Sequence, residues 1–181
     1  NMDLWDFGTD PNIPLPNGKY DFVTEALRAI AKGLGFGSSL IREENQISFN
    51  VRSGTSYIFD SHIKDTSNTY LISFSPYTSE LNTFVKNPLY WDRDNYTDYQ
   101  LYTSENTFNK YATLTYFSPS SFEDREKLLM MPQCNGRVHH IGSKILDILE
   151  DIGWQRNKKF KIYNNEIPES GIVEHQPGRI L

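Results

Sequence analysis

The chain has 181 residues, 38% hydrophobic and 23% charged, the balance of one soluble domain long enough to bury a core without disulfide or metal staples. A formal net charge of -5 argues against a phosphate-binding surface and so against nucleic acid as a partner. A single cysteine, Cys134, excludes an internal disulfide and a cysteine-based zinc site, and no apolar run is long enough to span a bilayer.

Along the chain, Asp10-Pro11-Asn12, Pro14, Pro16 and Asn17-Gly18 predict an irregular opening segment over residues 1–20. Asp21 is then a plausible N-cap, and Val23, Leu27, Ile30 and Leu34 recur at helical spacing until Gly35. On a helical wheel Glu25, Arg28 and Lys32 fall opposite that apolar stripe, so the helix is expected to turn a polar row away from the core. Alternation at Ile47, Phe49 and Val51 and at Tyr57-Ile58-Phe59, around Ser53-Gly54-Thr55, predicts a hairpin within Gln46 to Ile63. Tyr70-Leu71-Ile72 suggests a further short strand, and Ser79 to Val85 a short helix. Between Asn87 and Thr115, dense Tyr, Asn, Asp and Thr predict long loops with short strands. Ile145, Leu146, Ile148, Leu149 and Ile152 restore helical periodicity from near Ser143 to Gly153. A strand over 158–163 and a linker at Ile167–Gly171 follow, and no internal repeat is evident.

Three blocks carry a family resemblance. Ala26-Leu27-Arg28-Ala29-Ile30-Ala31-Lys32-Gly33-Leu34-Gly35-Phe36 resembles the active-site helix of secreted bacterial zinc metallopeptidases, whose versions run much like ALHEIGHGLGF. Leu129-Met130-Met131-Pro132 resembles the Met-containing turn beneath the metal in those enzymes. Ile148-Leu149-Glu150-Asp151-Ile152-Gly153-Trp154 resembles their closing helix, which ends in Gly-Trp. The resemblance implies a zincin-like α+β fold in which a small twisted sheet packs on the active-site-type helix and a C-terminal helix closes the domain. It implies a zincin-like domain over 1–157, with 158–181 as a strand and linker toward a possible further domain.

The functional letters depart from that pattern. The family's zinc motif uses two histidines four apart as ligands and a Glu after the first as general base on a metal-bound water. Arg28, Lys32 and Ala29 stand in those places. A guanidinium cannot ligate, an ammonium must first lose a proton, and a methyl group cannot accept one. By the resemblance, Ala112–Ser118 aligns with the stretch bearing the third ligand and puts Tyr116 in its place, while Met130 is the methionine of the turn. The vestigial positions are therefore Arg28, Ala29, Lys32 and Tyr116, and no metal or other cofactor is expected.

Other candidates are weaker. A relocated metal would have to gather His62, His139, His140 or His175 with acids such as Asp60 or Glu123, and no spacing argues for it. Cys134, beside two methionines, reads as a buried small hydrophobe rather than a nucleophile. There is no G-x-S-x-G and no phosphate-cradling glycine loop. Three functions follow as expectations: an inactive metallopeptidase homologue, secreted or at the cell surface, that binds a protein or peptide in the old cleft; a zinc hydrolase with relocated ligands; or a structural module of a larger surface protein. In the first, Arg28 and Lys32 are expected to act as an anion-binding pair, holding either an acidic side chain of this domain or a carboxylate of a partner. The sequence starts without a signal peptide, and the Asn before Met2 and the apolar Ile180-Leu181 end suggest a piece of a longer chain.

Overall fold

A computed structural model describes residues 2–50, 56–93, 99–104, 108–109, 111–119, 129–132 and 136–156. Its helices are α1 (Phe22–Gly33), α2 (Ile58–Ser61), α3 (Ser79–Phe84) and α4 (Ser143–Asp151). Its strands are β1 (Trp5–Asp6), β2 (Tyr20–Asp21), β3 (Leu40–Glu43), β4 (Gln46–Phe49), β5 (Ile63–Lys64), β6 (Leu89–Trp91) and β7 (Tyr99–Leu101). They form a parallel pair β1–β2, an antiparallel pair β3–β4 and an antiparallel sheet in the order β5–β6–β7. The architecture is α+β, built on small sheets. Among the described residues no helix is long and apolar enough to cross a membrane.

α1 starts and stops for local chemical reasons. The Asp21 carboxylate accepts the Thr24 N–H at 2.7 Å, which satisfies one of the amides a helix leaves unpaired at its first turn. At the other end Gly35, at φ 106, turns the chain in the left-handed region, where a side chain would also press on Ile152. The Phe36 N–H then reaches the Ala31 carbonyl at 3.0 Å and the Gly35 N–H reaches that of Lys32 at 3.0 Å, the paired bonds of a Schellman stop.

The buried face of α1 differs from the one its apolar stripe predicts. Thr24, Arg28 and Ala31 are buried, whereas Ile30 is 54% exposed. The helix is covered on its Thr24–Arg28 side by residues 129–131 and 138, whose backbone groups hydrogen-bond those polar side chains. Polar groups with partners can be buried, so the helix turned toward hydrogen bonds that periodicity does not register.

The β-structure corrects two further expectations. β4 pairs with β3 through a two-residue turn at Glu44-Asn45, with Glu44 at φ 54, and not with residues 57–59. Tyr57 instead caps α2, and Ile58 and Phe59 lie within it. The anticipated strand at 70–72 is a 3-10 turn over Leu71–Ser73, Tyr70 making only an isolated bridge to Lys64. The opening segment adds β1, which pairs with β2, to an expected irregular stretch. Helices α3 and α4 form where the periodicity places them. Val51, the Ser53–Thr55 turn and the strand and linker anticipated after 157 lie outside the described residues.

The core joins these pieces through aromatic contacts. Phe36 meets Phe59 at 5.4 Å and Phe117 at 5.5 Å, and Phe59 meets Trp91 at 4.6 Å, linking the end of α1 to α2, β6 and the segment after β7. α4 is fastened to the three-stranded sheet by acids: Asp151 accepts from the Trp91 indole at 3.0 Å and Asp147 from the Tyr99 hydroxyl at 2.8 Å. Trp154 then donates to the Leu34 carbonyl at 2.7 Å, tying the chain after α4 to the end of α1.

One buried carboxylate pins the start of β3 to α2. Asp60 is 0% exposed and accepts the Ser38 and Ser39 hydroxyls at 2.5 Å each, the Ser39 N–H at 3.1 Å and the Tyr57 N–H at 2.9 Å. Burial raises its pKa above the usual carboxylate value, and these four donors offset the rise only in part. A raised folded-state pKa means the native protein binds the proton more tightly, so this group withdraws stability as pH climbs from about 4 through its folded pKa. Asp60→Ala should cost about 1–3 kcal/mol in urea unfolding, since donors are left unpaired. In Asp60→Asn the loss of stability that this group contributes as pH rises above about 4 should vanish.

Candidate functional site

The 129–131 turn presents three successive backbone carbonyls to the interior, and each has a donor. The Phe117 N–H reaches the Met130 carbonyl at 2.8 Å. Arg28 supplies the other two: its Nε donates to the Leu129 carbonyl at 2.7 Å and its Nη2 to the Met131 carbonyl at 2.7 Å. Its Nη1 pairs with the Glu25 carboxylate at 2.6 Å. Arg28 is thus 7% exposed, and three of its nitrogens donate to acceptors held in place by helix and turn.

Tyr116 stands beside this clamp. The 113–118 segment is fixed to the sheet and its following loop by the Tyr102 N–H to the Tyr116 carbonyl at 2.8 Å and the Ser118 N–H to the Gln100 carbonyl at 2.9 Å. Leu114, at φ 57, turns the chain just before it. The Lys32 ammonium donates to the Tyr116 hydroxyl at 3.1 Å and lies 4.6 Å from the ring centroid. The Arg28 guanidinium carbon is 5.7 Å from the same centroid.

Three of the four positions singled out as vestigial meet in space. Arg28, Lys32 and Tyr116, from two distant parts of the chain, converge over the turn that holds Met130, while Ala29 lies exposed on the outer side of the helix. Met130 itself is buried. This donor set does not fit zinc, since a guanidinium, an ammonium and a phenol offer no pair of neutral nitrogen or anionic ligands and Ala29 offers no base.

Of the expected anion-binding pair, Arg28 holds an acid of its own helix, Glu25, at 2.6 Å, and Lys32 rests on Tyr116. Arg28 points inward and spends its donors on two carbonyls and Glu25, so it is no receptor for an outside carboxylate. Lys32 remains exposed on the tyrosine. The polar row expected to turn away from the core is thus split: Arg28 is buried, Glu25 is half-buried and Lys32 faces out.

The alternative metal candidates are dispersed. His62 stacks on Trp91 at 4.8 Å with 15° between the rings, Asp60 is enclosed by its serines, and His139 lies by Asp21. Among the described residues no three His, Cys, Asp or Glu side chains converge as a metal site. Glu123, Cys134 and His175 lie outside the described residues.

A second polar cluster was not foreseen. A cleft of about 650 Å³ is lined by His62, Lys64, Tyr70, Asp92, Arg93 and Asp151. Asp92 accepts from Lys64 at 2.6 Å and from Tyr70 at 2.5 Å, and those two bonds, with Lys64 first, hold its carboxyl below the usual carboxylate range. Its members come from separate segments with no shared spacing, so no sequence signal gathers them.

Truncating Arg28 leaves two buried carbonyls without donors. Arg28→Ala should cost about 2–6 kcal/mol in urea unfolding, at about 1–3 for each carbonyl left without a donor, and Arg28→Lys should recover little because an ammonium cannot span both carbonyls as a planar fork does. Lys32→Ala should cost only about 0–1 kcal/mol. Compared with family models, curated proteins and solved structures, the chain matches none.

Proposed function

We propose that this chain is a non-catalytic metallopeptidase-like domain, secreted or at the cell surface, whose outward face at Lys32 and Tyr116 binds a protein or peptide. The observation that supports this reading most is the convergence of Arg28, Lys32 and Tyr116 over the Met130 turn, with Arg28 hydrogen-bonded to that turn. In the resembled family a metal joins the active-site helix to its surroundings. Here a permanently charged side chain joins α1 to the turn through neutral carbonyls, and its role is structural.

What stays open to a partner is small and defined. Lys32 offers an ammonium steadied by the Tyr116 ring and hydroxyl, one helical turn from the exposed Ala29. An exposed cation held on an aromatic ring suits a peptide segment carrying a carboxylate. A displayed peptide library should enrich such segments, and Lys32→Ala should weaken the enriched binders while leaving the fold intact. Recovery of no binders, or of binders indifferent to Lys32→Ala, would leave the structural-module reading in their place.

The chemistry is testable by restoration. Arg28→His, Ala29→Glu and Lys32→His together rebuild two ligands and the base, and should give weak zinc binding without useful peptide hydrolysis. Adding Tyr116→His supplies a third protein ligand and should tighten zinc by more than about tenfold, an increment of about 1.4 kcal/mol, measured by titration calorimetry. Equal zinc affinity with and without Tyr116→His would remove Tyr116 from the site. Peptide hydrolysis by the unaltered protein that chelation abolishes would overturn the proposal.

A further inference from the structure

The N-terminal segment is fastened to the body of the domain by a cluster of charged groups away from the arginine clamp. Arg137 Nη2 meets the Asp6 carboxylate at 2.5 Å, its Nη1 donates to the Asp10 carbonyl at 2.9 Å, and its Nε lies 3.5 Å from Asp21 Oδ1. The Gly8 N–H donates to the same Asp6 oxygen at 2.9 Å. Inside this cluster sits His139, with its Nε2 at 2.9 Å from Asp21 Oδ2 and its Nδ1 at 3.1 Å from the Thr9 carbonyl oxygen.

Both ring nitrogens of His139 therefore face acceptors. Asp21 Oδ2 also takes the Thr24 N–H and the Thr24 hydroxyl at 2.7 Å each, and burial, which pushes this carboxyl up, is outweighed by the Thr24 bonds and His139, so it stays ionised below the usual range. The Thr24 hydroxyl can donate there because it accepts the Val138 N–H at 2.8 Å. A carbonyl and a carboxylate can only accept, so only the doubly protonated ring makes both bonds. A neutral ring keeps one proton and turns a lone pair on the other acceptor.

We infer that His139 is a pH-operated latch: doubly protonated, it bridges Asp21 to the Thr9 carbonyl and tightens the segment from Trp5 to Asp10 against the domain; on losing a proton it gives up one of those bonds and leaves the segment to Arg137 and the β1–β2 pairing. The charged groups facing the ring are Asp21 from the start of α1, Arg137 from its own loop, and Asp6 from the segment itself through Arg137. Asp21 favours the proton and is ionised throughout the working range, while Arg137 is neutralised by its two acids. The sign follows: both bonds are made while the ring carries two protons, and one of them is lost when rising pH removes a proton.

Hydrogen exchange of the 5–10 segment in the intact chain, corrected for the intrinsic dependence of exchange on pH, reads the latch directly. Protection should be more than about tenfold greater at pH 5.5 than at pH 8, across the range in which imidazole changes charge. His139→Gln, which cannot donate from two ring nitrogens, should show low protection at both values, and His140→Gln, altering the exposed neighbour, should keep the full response. Ring nitrogen shifts of His139 should report two protonated nitrogens at pH 5.5. Equal protection at both pH values, an undiminished response in His139→Gln, or a singly protonated ring at pH 5.5 would each overturn the latch.

Discussion

A guanidinium inside a protein costs several kcal/mol unless its donors find acceptors, and the way Arg28 meets that demand organises the centre of this domain. Its bonds to Leu129 and Met131 carbonyls join residues a hundred positions apart. With those carbonyls answered, the turn can sit under α1 with Met130 buried, and the neighbouring Phe117 N–H completes the row. Tyr116 is then carried to the helix by the residue next to it, which gives Lys32 its ring. Were Arg28 an apolar side chain of similar length, the turn would keep its buried side chains but leave two buried acceptors without donors.

The same logic recurs at two other joints. Asp60 gathers two serine hydroxyls and two amides where β3 meets α2, and Asp21 gathers Thr24 and His139 where β2 enters α1. In each case a charged group with several donors or acceptors fixes the direction of a short element that has too little apolar surface of its own. The aromatic core from Phe36 to Trp91 supplies the bulk of the burial, and the charged joints supply the register. Their opposite pKa directions mark the difference: Asp21 has enough donors to outweigh its burial, and Asp60 does not.

What could be read from the residues was mostly local. Asp21 as cap, Gly35 as stop, and the helices from Ser79 and Ser143 depend on neighbouring residues, and they form where those residues place them. The buried side of α1 was not legible, because wheel reasoning weighs apolar character and Arg28 is buried by acceptors that come from residue 129 onward. The hairpin at β4 was assigned to the wrong partner because Ser53-Gly54-Thr55 is the stronger turn signal, while Glu44-Asn45 turns the chain with no glycine at all. Tyr116 could be placed near Arg28 and Lys32 only through a family resemblance, and the polar cleft around Asp92 had no signal, its residues being adjacent only once β5 and β6 pair.

The central claim is that Arg28 closes the space beneath α1 by hydrogen bonding to the 129–131 turn, and nuclear magnetic resonance of its side chain addresses this directly. In the intact protein labelled with nitrogen-15 and carbon-13, the Arg28 Nε–H should exchange slowly with water and show a coupling across the hydrogen bond to the Leu129 carbonyl carbon. Zinc should leave both features unchanged. An Nε–H that exchanges as fast as those of exposed arginines, or a resonance that moves on titration with zinc, would contradict the account.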